Sequence, residues 1–106
     1  MVSEETIQYI VEVIKTRLSP RRIILSGSYA RGEVTPESDL DLFIELDPPL
    51  PTRGRSRWIK QLFDPYPCPM DIVVYSPEEV AYRKQAPASL VASVLREGRV
   101  LYECAQ

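Results

Sequence analysis

The sequence predicts an α/β (α+β) fold in which helices flank a mixed sheet of about four strands. Three observations lead there. Short apolar runs at 22–26, 70–75 and 99–103 alternate along the chain with segments of helical period. Asp39-Leu40-Asp41-Leu42-Phe43-Ile44 repeats at the two-residue period of a strand. Proline and glycine break the chain between several of these runs, at Ser19-Pro20, at 47–54, at Pro65, Pro67 and Pro69, and at Gly98.

Ser3 is placed to cap a first helix, along which Ile7, Ile10, Val11, Ile14 and Leu18 form an apolar stripe that ends at Ser19-Pro20. Arg22 to Ser26 reads as a strand buried on both faces. Gly27 to Gly32 reads as a turn opening a short helix. A second strand is expected from Asp39 to Leu46, with Leu40, Leu42, Ile44 and Leu46 facing the core. The proline-stiffened loop 47–54 leads to a helix over Arg55 to Asp64, with Trp58, Ile59, Leu62 and Phe63 on one side. Met70 to Tyr75 is the third strand, with Met70, Ile72 and Val74 on its core face. Ser76-Pro77-Glu78-Glu79 carries a helix-start signal: a cap, a proline at the first position and acids in the first turn. Another helix is expected from Pro87 through Glu97, closed by Gly98, before a last strand from Arg99 to Glu103. The whole of 1–106 reads as one domain.

The chemistry-bearing residues cluster around the second strand. Asp39 and Asp41 are two apart, so they share a face, with Cα atoms roughly 6–7 Å apart. A slip of one residue would bury both, so the core face specifies the register. Two carboxylates this close repel, and a cation between them relieves the repulsion. Mg²⁺ takes hard oxygen ligands and combines one or two carboxylates with water and substrate phosphate. Two such ions can clamp both oxygens of an in-line phosphoryl displacement. Asp71 is the third carboxylate, on the face of its strand opposite Met70, Ile72 and Val74. It could complete a metal site or take a proton from an attacking hydroxyl. Gly27 lets a ligand approach the main chain, and Ser28 adds a hydroxyl and an N–H. A turn and helix start of this kind favours anions such as a nucleotide polyphosphate. Arg31 could reach a phosphate oxygen, or pair with Glu33 or Glu37. The turn is neither a Walker loop nor the dinucleotide fingerprint.

Gly27-Ser28, then Asp39-x-Asp41, with Asp71 on a later strand, resembles the nucleotidyltransferase fold of the DNA polymerase beta superfamily. The short length points to its minimal nucleotidyltransferase (MNT) branch. The resemblance runs over nearly the whole chain. It implies that Asp39 and Asp41 bind two Mg²⁺ ions, that Asp71 helps bind the catalytic metal and activates the acceptor hydroxyl, and that Gly27 and Ser28 hold the triphosphate of ATP. Small proteins of this branch are commonly paired with a HEPN ribonuclease toxin. The resemblance therefore implies an antitoxin that transfers AMP from ATP to a tyrosine of that toxin, in a hetero-oligomer with it. Two alternatives stand beside this: a non-catalytic antitoxin that masks the toxin by binding, and a small-molecule or RNA-end nucleotidyltransferase.

Composition narrows the rest. There is no histidine, which excludes His-based triads and His metal sites. Cys68 and Cys104 lack metal-ligand spacing and read as reduced thiols. The net charge of −2 argues against binding of extended nucleic acid. No apolar run is long enough for a membrane span, and the acidic N-terminal segment is unlike a signal peptide, so a cytoplasmic location is expected. The resemblance implies that larger relatives carry an added domain to hold the acceptor; the sequence is expected to end where such a domain would begin, and the acceptor is then expected on a partner protein, over Asp71. Tyr29, Tyr66 and Tyr82 are candidate docking aromatics. Arg53, Arg55, Arg57 and Lys60 form a basic cluster, either a solvated helix start or a contact for phosphate or an acidic partner.

Overall fold

A computed structural model describes residues 2–47 and 54–104. The elements are α1 (Glu4–Leu18), β1 (Arg22–Ser26), α2 (Gly27–Arg31), β2 (Leu40–Glu45), α3 (Arg55–Lys60), β3 (Met70–Tyr75), α4 (Pro77–Arg83), α5 (Leu90–Glu97) and β4 (Arg99–Glu103). The strands form a mixed sheet in the order β3-β2-β1-β4. β1 runs antiparallel to β2 and β4, while β2 and β3 are parallel. A parallel pair needs a crossover connection, and the segment carrying α3 supplies it. This is the expected α+β architecture.

The two-residue period of the strands divides the core into two layers. Ile23, Leu25, Leu40, Leu42, Ile44, Ile72 and Val74 pack on one face with Ile7, Ile10, Val11 and Ile14 of α1. Ile24 and Phe43 point the other way and pack with Val80 of α4 and Val91 and Val94 of α5. β1 is thus buried on both faces, as its unbroken apolar run requires. Most of β2 is buried on both faces too. On the acidic side of β2, Phe43 is fully buried and Glu45 is buried against Arg22, which reaches its carboxylate at 2.6 Å. The acidic side stays open only at its N-terminal end, where Asp41 sits half-buried. The location of the site follows from that closure.

Helix ends follow local chemistry. The Ser3 hydroxyl accepts from the Thr6 N–H at 3.1 Å, and α1 stops at Ser19, whose φ of 49° is left-handed. At α4 the Ser76 hydroxyl accepts from the Glu79 N–H while the Glu79 carboxylate accepts from the Ser76 N–H, a reciprocal capping box.

Several expectations need correction. β2 begins at Leu40, so Asp39 lies just ahead of the strand. The third helix ends at Lys60, and Leu62 and Phe63 pack from the turn beyond it. Trp58 is 46% exposed rather than facing the core. The last helix begins at Leu90, not Pro87, because the Ser89 hydroxyl caps it by accepting from the Ala92 N–H at 3.1 Å. Gly98 closes that helix as expected, its N–H donating to the Val94 carbonyl at 2.8 Å, with φ of −75°. Arg55 is not a solvated helix start: its side chain is 11% exposed, and its guanidinium donates to the Val74 carbonyl at 3.0 Å and to Glu79 at 2.7 Å. The loop 48–53, with Arg53, lies outside the described residues. Tyr82 and Tyr66 are exposed, and the Tyr29 hydroxyl accepts from the Val2 N–H. Among the described residues no helix is long and apolar enough to cross a membrane.

Candidate functional site

Strand pairing sets the site. Ser26, the last residue of β1, lies opposite Asp41 in the antiparallel β1–β2 register. Asp41 in turn lies opposite Asp71 in the parallel β2–β3 register. Directly opposed residues share a face, with β-carbons roughly 5 Å apart. Ser26, Asp41 and Asp71 therefore form a row across three strands. The chain turns out of β1 at Gly27, with φ of +67°. A β-carbon placed on Gly27 would collide with the Asp41 carboxylate, 2.9 Å from its Cγ. Only glycine permits both that backbone conformation and that approach.

These residues line a cleft of about 280 Å³. One wall is Ser26, Gly27, Ala30 and Arg31, the floor is Asp41, Asp71 and Val73, and the other wall is α5 with Gly98. Leu90, Ser93 and Glu97 line that second wall. The sequence reading did not single them out, because they look like the polar and apolar positions of any amphipathic helix. Gly98 brings α5 close to the sheet: a β-carbon there would stand 2.5 Å from Ile24 Cγ2 and 2.7 Å from the Val94 carbonyl.

Burial raises the Asp41 carboxyl above the ordinary carboxylate range, and the charges of Asp71 and Asp39 raise it further, while Arg31 opposes them. Asp39 thus acts on the site electrostatically. Its exposed side chain lines a neighbouring recess with Ser38, Cys68 and Pro69 rather than the cleft itself. Arg31 reaches the cleft, and its guanidinium also pairs with Glu33 at 2.6 Å. Ser28 is half-buried in α2, its carbonyl accepting from the N–H groups of Gly32 and Glu33, and it does not line the cleft.

Among the described residues, the carboxylates of Asp39, Asp41 and Asp71 make no ion pair or hydrogen bond. Nor do three or more His, Cys, Asp or Glu side chains there form a ready metal cage. What the cleft holds is a pair of opposed carboxylates with open space beside them. That donor set fits a hard divalent cation completed by substrate phosphate and water, and it does not fit a soft or closed-cage metal.

Comparison with known proteins agrees with this architecture. The family model described as nucleotidyltransferase domain matches residues 7–101. A protein of Methanocaldococcus jannaschii named "Putative protein adenylyltransferase MJ0604" is 36% identical over 104 residues, covering 96% of this chain and all of that protein. A second protein of that organism, named "Putative protein adenylyltransferase MJ0141", is 35% identical over 86 residues, covering 81% of each chain. The matched span takes in most of α1, the Gly27 turn and all three aspartates, and on that ground the chain belongs to the nucleotidyltransferase domain family.

Proposed function

We propose that this nucleotidyltransferase moves AMP from ATP to a hydroxyl on a protein, with divalent magnesium held between Asp41 and Asp71 in the cleft and Asp39 turning in from the neighbouring recess to complete its ligands. The observation that carries the reading is the opposed pair of Asp41 and Asp71 beside the Gly27 turn. The names of the two Methanocaldococcus proteins support a protein as the acceptor.

Bound magnesium would supply positive charge against the triphosphate and the like-charged carboxylates. The Gly27 turn presents main chain to the phosphates without a side chain in the way. Arg31 sits at the cleft wall to add charge to a phosphate oxygen. The acceptor oxygen approaches over Asp71, whose carboxylate takes its proton as the bond to the α-phosphorus forms. The bond from the α-phosphorus to the bridging oxygen breaks, and pyrophosphate leaves. Positioning and charge neutralisation provide most of the rate gain.

The family resemblance extends the proposal to an acceptor of one kind: a tyrosine of a HEPN ribonuclease toxin, which the chain silences as a cytoplasmic antitoxin. The test is transfer of label from α-labelled ATP to a co-expressed HEPN protein, with the labelled residue mapped by mass spectrometry. Transfer to tyrosine is expected, and its loss in the Asp39→Asn/Asp41→Asn double variant. A double variant that labels its target at the wild-type rate would remove this mechanism.

A further inference from the structure

A second cleft, of about 620 Å³, lies along β3 between α3 and α4. Arg57, Lys60 and Arg83 line it, and none of the three makes an ion pair among the described residues. The Arg83 guanidinium is held 5.2 Å above the Tyr75 ring, which orients it before anything binds. The other charges of the cleft, Arg55 and Glu79, neutralise each other at 2.7 Å. A local excess of three positive charges therefore stands on a chain whose net charge is −2.

The position of this cleft ties it to the candidate site. Val73 lines both clefts, and it lies two residues along β3 from Asp71, on the same strand face. Two residues of strand span roughly 6–7 Å. A chain segment lying in the basic cleft would thus reach Asp71 within a few residues. Arg55 already occupies the Val74 carbonyl on the side of β3 away from β2. An incoming segment would meet a strand edge that is partly covered, so recognition runs through side-chain charge rather than added strand pairing.

We propose that this basic cleft docks an acidic segment of the acceptor protein, with Arg57, Lys60 and Arg83 meeting its carboxylates and Val73 marking the path to Asp71. The inference rests on the protein-acceptor reading above and names the chemistry of that acceptor. Exposed charges of this kind steer association and set its salt dependence.

The probe is a fluorescein-labelled random copolymer of Glu and Tyr, followed by anisotropy for binding and with α-labelled ATP for transfer. A Lys and Tyr copolymer and an oligouridine RNA are run beside it. The wild-type chain is expected to bind the acidic copolymer over the basic one and to release it as salt is raised. Arg57→Glu/Lys60→Glu/Arg83→Glu is expected to weaken that binding by about tenfold or more. It is also expected to raise the KM for the copolymer while leaving the KM for ATP unchanged. Far-UV circular dichroism checks the fold of this variant, and Arg57→Ala/Lys60→Ala repeats the test if charge reversal unfolds it. Equal binding by the variants, preference for the basic copolymer, or binding of oligouridine in place of the acidic copolymer overturns the proposal. Cleft-dependent binding of the acidic copolymer without AMP transfer would instead leave the docking surface standing and remove the protein-acceptor reading.

Discussion

The carboxylate of Asp41 occupies the space that a β-carbon on Gly27 would need. The turn and the acid are therefore one unit, each positioned by the other. Gly27→Ala is expected to damage both. The left-handed backbone at φ of +67° costs a non-glycine residue about 1–2 kcal/mol. The added methyl also pushes Asp41 out of its row with Asp71. Displacement of about 1 Å at such a site can lower turnover by about 100-fold. Gly32→Ala is the control, because Gly32 has φ of +73° but open space around it. The control is expected to lose comparable backbone stability in thermal melts and to keep nucleotidyl transfer. Equal loss of transfer in both variants would show that the Asp41 contact is immaterial.

Asp41→Asn separates stability from activity. Burial and the charges of Asp71 and Asp39 hold the Asp41 carboxyl above its ordinary range. As pH rises past that range, the unfolded chain releases its proton before the folded chain does, so ionised Asp41 weakens the fold. Removing the charge is expected to stabilise the magnesium-free protein by less than about 1 kcal/mol, a figure reduced for the solvent that reaches this side chain, and to raise Tm by a few degrees at most. Scanning fluorimetry in EDTA near neutral pH measures it. Added magnesium with ATP is expected to raise the Tm of the wild type and not of Asp41→Asn. A lower Tm for Asp41→Asn in EDTA would contradict the like-charge account.

What the sequence displayed and what it concealed divide along a physical line. Local periodicity showed the strand faces: Leu40, Leu42 and Ile44 are in the core where their spacing put them. It also showed the caps at Ser3 and Ser76, which act over three residues. Cross-strand register is not local. Nothing in the stretch of chain between Asp41 and Asp71 states that they lie opposite each other; that follows from the parallel pairing of β2 with β3. Arg55 read as a surface cation because its partner Glu79 is 24 residues away. Gly98 read as a helix cap, which it is, but its second constraint, the closeness of Ile24, is made only in the folded chain. The site was legible where chemistry sits on one strand, and hidden where α5 closes over it.

Gly98→Ala tests that closure. Its φ of −75° suits alanine, so backbone strain plays no part. The methyl would press on Ile24 and on the Val94 carbonyl, and α5 must lift to make room. Overpacking of this kind destabilises by about 1–3 kcal/mol. Because the same helix forms a wall of the cleft, the KM for ATP is expected to rise along with the loss in Tm. An unchanged Tm would mean that the helix has slack the structure does not show.

Acid sensitivity offers a last check, at a distance from the candidate site. The Ser76 N–H holds the Glu79 carboxyl below its ordinary value of 4.5; burial opposes it, and the Arg55 guanidinium adds to the lowering. The folded value lies below the unfolded one, so this carboxylate stabilises the fold above the unfolded value. That contribution is lost as pH falls through the folded value. Glu79→Gln keeps an acceptor for Ser76 but removes the charge that faces Arg55. It is expected to lower stability near neutral pH by about 1 kcal/mol, a figure reduced for the solvent that reaches the pair. It is also expected to flatten the acid limb of the stability curve below about pH 4.5. Urea titrations from neutral pH down to the acid transition measure both effects. A Glu79→Gln variant with the same acid limb as the wild type would place the acid-sensitive group elsewhere in the fold.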